Sequence, residues 1–301
     1  MQIPHIPVLL NEVIKLFSPM KEGYFVDCTL GFGGHSVAIL KNFPNIKLIG
    51  IDQDTDALNF AKKRLFPFKD RIQFINKRAS VALKDLKDLE IAGILADIGV
   101  SSFQLDNPER GFNFESEILD MRMNKNQDLS AYEVINYYSR EEIERILKEF
   151  AEERRYKKIA KAIISNRVIN SNREFADILG KIGIKDKKSL ARIFQAVRIE
   201  VNNELGELEN LLENAKNIAK PGTILGIITF HSLEDRIVKN KFKEWAKNCI
   251  CPPEAIRCEC GGNHALGKII TKKPVTATND EIKTNPRSRS AKLRGFLFKE
   301  K

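Results

Sequence analysis

The sequence predicts an α/β protein, a Rossmann-like doubly wound sheet interrupted by an all-helical insertion. Three observations predict it. Short apolar runs ending in Gly or Asp alternate with helical stretches through the first hundred residues, the signature of parallel strands with crossover helices. A Gly-rich turn follows the first of these runs. Strand signals then stop between about Asp106 and Glu204 and return only afterwards.

In chain order, Gly23–Asp27, Ile46–Asp52, Ile72–Ile75 and Ile91–Asp97 read as strands buried on both faces, because their apolar runs do not alternate with polar residues. Thr55–Leu65 reads as a helix, with Leu58, Ala61 and Leu65 at helical spacing. Glu141–Phe150, Tyr156–Val168, Arg173–Leu179 and Leu190–Val201 have the composition and period of helices. Pro221-Gly222 introduces a further strand at Thr223–Thr229, and Leu293–Phe298 reads as a last one. Residues 1–105 alone would leave an open sheet edge that the late strands can cover. The expected domains are therefore a discontinuous α/β domain, 1–105 with 205–301, and a helical insertion, 106–204, expected to recognise substrate.

Composition narrows the class. With 43% hydrophobic and 30% charged residues, the chain has enough apolar side chains for a globular core, which excludes global disorder. No apolar run is long enough to span a membrane, and the first residues lack the pattern of a signal peptide, so a cytoplasmic protein without a membrane partner is expected. The net charge of +10 is unevenly placed: residues 1–236 carry 35 basic and 34 acidic side chains, and residues 237–301 carry 15 and 6. A basic terminal region that includes Lys239, Lys241, Lys243, Lys272, Lys273, Arg287, Arg289, Lys292 and Arg294 points to a polyanionic partner. A Lys-rich solvated surface is the plainer alternative.

The turn Asp27-Cys28-Thr29-Leu30-Gly31-Phe32-Gly33-Gly34-His35 joins the first strand to a helix expected at about Ser36. Its glycines allow a sharp turn and a close ligand approach. Asp27, Asp52 and Asp97 each close a strand, on the edge where open α/β sheets bind ligands, and Asp52 is placed to hold ribose hydroxyls. A nicotinamide enzyme would want a third glycine where Ser36 stands, and Asp27 would repel a pyrophosphate. S-adenosylmethionine carries a cationic sulfonium and ammonium and no phosphate, so the carboxylates favour a methyltransferase. A DNA- or protein-directed methyltransferase and a non-catalytic cofactor-binding module are the competing readings.

Beyond this chemistry, the chain resembles the ribosomal RNA small-subunit methyltransferase H family, formerly called MraW, over essentially its whole length. The matching stretches are His5–Glu12, Gly33–Ser36, Asp97–Asp106, Glu109–Phe112, Leu119–Met123, Phe194–Ile199, Phe230–Arg236 and Asn285–Ser290. The resemblance implies a Rossmann-like class I methyltransferase domain that uses S-adenosylmethionine to methylate N4 of a cytidine in the decoding region. Small-subunit ribosomal RNA, within the assembled small subunit, is the implied partner, and a homodimer stays open. Carried over by position, the cofactor contacts fall on Gly33, Gly34, His35, Asp52, Ala79, Asp97 and Gln104. Ala79 replaces an aromatic residue of relatives and loses its stacking.

The exocyclic amine of cytosine is a poor nucleophile that needs acceptors for its N–H bonds. Asp97 stands where many amino-methyltransferases carry an Asn/Asp-Pro-Pro-Tyr/Phe turn, and is a candidate acceptor or a cofactor holder. His231, ahead of Glu234 and Asp235, is the second catalytic candidate; alternatively it satisfies a backbone group while Ser232 caps the next helix. Cys249, Cys251, Cys258 and Cys260 are zinc candidates, although C-x-C is tighter than the usual zinc spacing and ordinary reduced thiols are the plainer reading.

Overall fold

The structure, a computed structural model, describes residues 6–252, 254–255 and 257–299, so His5 lies outside the described residues. The chain divides into two compact units, Met1–Gly99 with Glu207–Lys301, and Val100–Gly206.

The first unit holds the whole sheet. Its strands are β1 (Gly23–Asp27), β2 (Ile46–Ile51), β3 (Ile72–Ile75), β4 (Ile91–Asp97), β5 (Ile224–Thr229), β6 (Gly267–Ile269), β7 (Val275–Thr276) and β8 (Lys292–Phe298). They lie in the order β3-β2-β1-β4-β5-β8-β6, with β7 also on β8. The first five are mutually parallel, and β8 runs antiparallel beside β5. Strand order reverses between β1 and β4, the point at which such sheets bind ligands. β5 pairs with β4, so the late part of the chain covers the edge that the early part leaves open.

Six helices of this unit are α1 (Leu10–Phe17), α2 (Gly34–Asn42), α3 (Thr55–Arg64), α4 (Ala79–Leu83), α12 (Ser232–Trp245) and α13 (Asn279–Thr284). Alternate strand residues face opposite layers. Phe25, Leu48, Leu95 and Ile228 cluster with Val13, Phe17, Ile39 and Leu58. Val26, Ile49, Ile94 and Phe296 cluster with Leu211, Val238, Phe242 and Trp245. The short α1 lies so close to the sheet that a Cβ on Gly226 or Gly295 would come within 2.8 and 2.6 Å of Leu16.

In the second unit, α5 (Ser102–Asp106), α6 (Ala131–Tyr137), α7 (Arg140–Glu149), α8 (Tyr156–Ser165), α9 (Asn172–Lys181) and α10 (Lys187–Asn202) follow one another. α11 (Glu204–Ile218) carries the chain back into the first unit. No strand occurs among the described residues of the second unit. Its own core holds Ile146, Ile163, Phe175, Phe194 and Val197. Ser130 and Ser139 open α6 and α7 as reciprocal capping boxes with Glu133 and Glu142.

Two helix boundaries lie three residues from the sequence reading. α8 stops at Ser165 rather than Val168, because Arg167 turns to the carbonyls of Ile135 and Tyr138 (2.7 and 2.6 Å) and Ile169 N–H bonds Asn136 Oδ1. α10 starts at Lys187 rather than Leu190, because Asp186 caps it by accepting the Ser189 N–H at 2.7 Å.

The aromatic cluster against α12 offers a direct test of this packing. Phe296 is fully buried, with ring centroids 5.3 Å from Phe242, 5.6 Å from Trp245 and 5.0 Å from Phe298. Phe296→Ala is expected to cost about 3–5 kcal/mol in a urea titration of unfolding.

Candidate active site

The site begins with the turn after β1. Gly31 and Gly33 hold φ of 51° and 73°, a left-handed geometry that other residues rarely adopt. Gly33 is also closely packed: a Cβ there would fall 2.8 Å from Leu65 Cδ1. α2 starts at Gly34, two residues before the expected Ser36, because Ser36 is used elsewhere. Its hydroxyl donates to Asp27 Oδ2 at 2.7 Å, which ties the helix to the end of β1.

Asp27, Asp52 and Asp97 are brought to the carboxyl edge of β1, β2 and β4, as the strand assignments require. Asp27 also accepts the Thr29 N–H, and burial pushes its pKa up to about 6. The half-buried Asp52 accepts the Gly31 N–H at 2.7 Å and the Asp54 N–H at 2.8 Å, one on each oxygen. Its pKa is likewise raised by burial to about 6. Asp97 Oδ1 is buried without a hydrogen-bond partner, and its pKa rises to about 8, through desolvation first and then the Asp27 and Glu234 charges. No Lys or Arg pairs with these three carboxylates among the described residues.

His35 does not supply the missing charge. Its Nε2–H donates to the Val8 carbonyl at 2.9 Å, and burial lowers its pKa to about 4. It is neutral near pH 7, and its Nδ1 stands 4.0 Å from Asp97 Oδ2, too far for a hydrogen bond. Thr29 and Ser36 were not singled out from the sequence. The Asp97 N–H donates to Thr29 Oγ1 at 2.6 Å, which joins the ends of β1 and β4. Small hydroxyl residues two and nine positions after a strand-ending Asp are the only signal that pointed to them.

Ala79 opens α4 just beyond β3 and is buried. Gln104 belongs to the second unit, where its Oε1 accepts the Ser101 N–H at 3.0 Å. At the end of β5, His231 itself, not Ser232, caps α12. Its Nδ1 accepts from the Glu234 N–H, while Glu234 Oε2 accepts the Phe230 and His231 N–H groups at 2.8 and 3.2 Å. His231 Nε2 lies 3.0 Å from Glu234 Oε1. Asp235 faces away from this pair toward the basic tail: Arg294, itself buried, donates to both of its oxygens, and Lys292 stands at 3.5 Å. Arg294 therefore serves the fold, whereas Lys272, Lys273, Arg287 and Arg289 are exposed. Among the described residues, no helix is long and apolar enough to cross a membrane.

Residues 2–299 match a family described as the MraW methylase family. A protein of Nautilia profundicola described as ribosomal RNA small subunit methyltransferase H is 72% identical over 298 residues, covering 98% of this chain and 97% of that one. Proteins of the same description from Aliarcobacter butzleri and Nitratiruptor sp. are 57% and 56% identical, over 99% and 100% of this chain and all of theirs.

The raised carboxylates make ligand-free stability depend on pH. Asp97 holds its proton up to about pH 8 when folded, against 3.8 for the ordinary group. Across that window the folded state binds more protons than the unfolded one, so stability falls as pH rises. Asp97→Asn should raise the Tm of the ligand-free protein near pH 8, and raise it much less near pH 5, as read by thermal unfolding at both pH values.

Proposed function

Because the chain belongs to the MraW methylase family, we propose that it transfers a methyl group from S-adenosylmethionine to N4 of a cytidine in the decoding region of small-subunit ribosomal RNA. The observation that carries the cofactor assignment is the partnerless, buried Oδ1 of Asp97, set among carboxylates that no Lys or Arg answers. A site of that charge suits a cationic ligand and repels the phosphates of a dinucleotide. Bound S-adenosylmethionine supplies a methyl group made electrophilic by its sulfonium.

Each side chain then has a task. Asp52 has two lone pairs beyond those given to Gly31 and Asp54, enough for the two hydroxyls of a ribose. Gly33 and Gly34, whose Cβ positions are filled by Leu65 and Pro7, keep the turn tight against the cofactor edge, and Ala79 lines the adenine end. His35, kept neutral and fixed on Val8, closes the pocket beside Asp97. Gln104 as a further contact rests on the family resemblance alone. Asp97 is the proposed catalytic group: as a carboxylate it accepts an N–H of the cytosine amine and returns electron density to the nitrogen. His231, whose Nδ1 caps α12 and whose Nε2 lies 3.0 Å from Glu234 Oε1, is proposed to act by positioning Glu234 at the same strand edge.

The polyanionic partner rests on the exposed part of the basic tail, and the family resemblance supports an RNA met within an assembled small subunit. Folded RNA is read by shape, by its backbone and through a base taken out of its stack, which suits a basic surface. The near-neutral helical unit is the proposed recognition domain.

Four measurements test this reading. Asp52→Ala should weaken S-adenosylmethionine binding in calorimetry by about 1.5–3 kcal/mol, the range for hydrogen bonds to a charged group. Asp97→Ala, with the fold intact by circular dichroism, should lose methyl transfer by on the order of 10²–10⁴-fold at saturating cofactor. Nucleoside analysis of small-subunit RNA from cells lacking the protein should show loss of N4-methylated cytidine, and methylation at another atom would overturn the assigned acceptor. For the RNA surface, Arg287→Ala combined with Arg289→Ala should lower the salt slope of subunit binding by about one to two units without changing cofactor affinity.

A further inference from the structure

We propose that Cys249, Cys251, Cys258 and Cys260 form a closed, structural zinc site that fixes the connector between α12 and β6. The connector, residues 246–266, contains no helix or strand among its described residues. From 246 to 264 none of its described side chains is buried, and Ile250 is 63% exposed. Loops of this length without secondary structure are uncommon unless something other than a core organises them. Its two ends are pinned together, with Leu266 N–H on the Trp245 carbonyl at 2.7 Å and His264 N–H on the Asn248 carbonyl at 3.0 Å. What lies between is held by thiols.

The two C-x-C pairs fold onto one another. Cys249 and Cys258 sulfurs are 3.6 Å apart, Cys258 and Cys260 3.6 Å, and Cys260 and Cys249 3.7 Å. All four Sγ atoms lie within 4.8 Å of one another. A tetrahedron with zinc–sulfur bonds of about 2.3 Å has sulfur–sulfur edges of about 3.8 Å. A disulfide would need about 2.05 Å. The spacing is that of four ligands around one ion and not of any pair of bonded sulfurs.

Backbone N–H groups already point at the sulfurs. Ile250 N–H donates to Cys260 Sγ at 3.4 Å, and the N–H groups of Glu259 and Cys260 donate to Cys251 Sγ at 3.2 and 3.3 Å. Such bonds orient metal-bound thiolates and stabilise their charge. Gly261 and Gly262, with φ of 76° and 71°, turn the chain away directly after the last cysteine.

Zinc binding forms four equivalent bonds, each thiol losing its proton to solvent as its zinc–sulfur bond forms. Four thiolates without carboxylate or imidazole select a soft, tetrahedral ion, and zinc needs no redox partner. His264 is turned to the Cys260 carbonyl at 2.8 Å, so the ligand set is all sulfur and has no open position for substrate. The expected role is to rigidify the connector, not to take part in methyl transfer.

The test uses the full chain purified under reducing conditions without added metal. Elemental analysis should find one zinc per chain, and replacement by Co²⁺ should give the visible spectrum of a tetrahedral tetrathiolate site. Cys258→Ser with Cys260→Ser should abolish both and expose the connector to limited proteolysis, with S-adenosylmethionine affinity within about twofold of wild type. Protein that neither contains zinc nor takes it up on titration would overturn the site, as would iron in its place. Two disulfides found by mass spectrometry of the freshly purified chain would overturn it as well. Because metal content and the cobalt spectrum are read on the unmodified protein, the outcome does not depend on the variant folding.

Discussion

The first unit is organised around a charge that the protein itself does not neutralise. Asp27, Asp52 and Asp97 are carried to one sheet edge by strands whose buried residues give them no choice of position. Desolvation there favours the protonated acids, and the fold resists it only with local donors: Ser36 and Thr29 for Asp27, Gly31 and Asp54 for Asp52. Asp97 receives no such donor on Oδ1. Ionising Asp97 is therefore costly at neutral pH, a cost that the proposed cationic cofactor would offset. Affinity for a positively charged cofactor, stability and pH are therefore coupled through the same atoms.

That constraint was legible before any coordinates, because it is written in apolar runs that each stop at an aspartate. β1, β3 and β4 fall on the residues that the runs mark, and β2 ends one residue earlier. The sheet's far edge was not legible. β6 and β7 are three and two residues long, and exist only because β8 offers them an antiparallel edge. A pairing made by a neighbour leaves no period in the strand itself. Likewise α1 is specified by what it packs on, the glycines of β5 and β8, as much as by its own sequence.

Side-chain roles at the site were harder to read than positions. A histidine after a strand looks like a base for catalysis, yet His231 spends its ring as the cap of α12, a task usually taken by Ser, Thr, Asp or Asn. The charge count had a similar blind spot. It assigned Arg294 to a phosphate-binding surface, whereas Arg294 and Asp235 neutralise each other at the base of β8 and α12. For the cysteines, spacing along the chain measures only one pair at a time and cannot show that the connector doubles back to bring four sulfurs within 4.8 Å of one another.

The polar motifs of the second unit carry the same lesson further. Arg110 is buried and donates to the carbonyls of Arg122 and Met123, at 3.1 and 3.0 Å. Asn202 donates to the Met121 carbonyl and accepts the Met123 N–H, holding Met121 at a φ of 60°. Asn172 bridges the carbonyls of Gly111 and Asn113 at 2.7 Å each, and Arg198 forms two bonds with Glu204, at 2.8 and 3.0 Å. The stretches around Glu109–Phe112, Leu119–Met123 and Phe194–Ile199 thus fix an irregular segment that has no helix or strand to satisfy its backbone. Arginine suits that task because its planar guanidinium carries five donors: one Nη2 serves both carbonyls in Arg110, and Nε with Nη2 grip the Glu204 carboxylate in Arg198. These motifs identify the family through the architecture of its insertion, while the chemistry rests on a few carboxylates and glycines at the edge of the sheet.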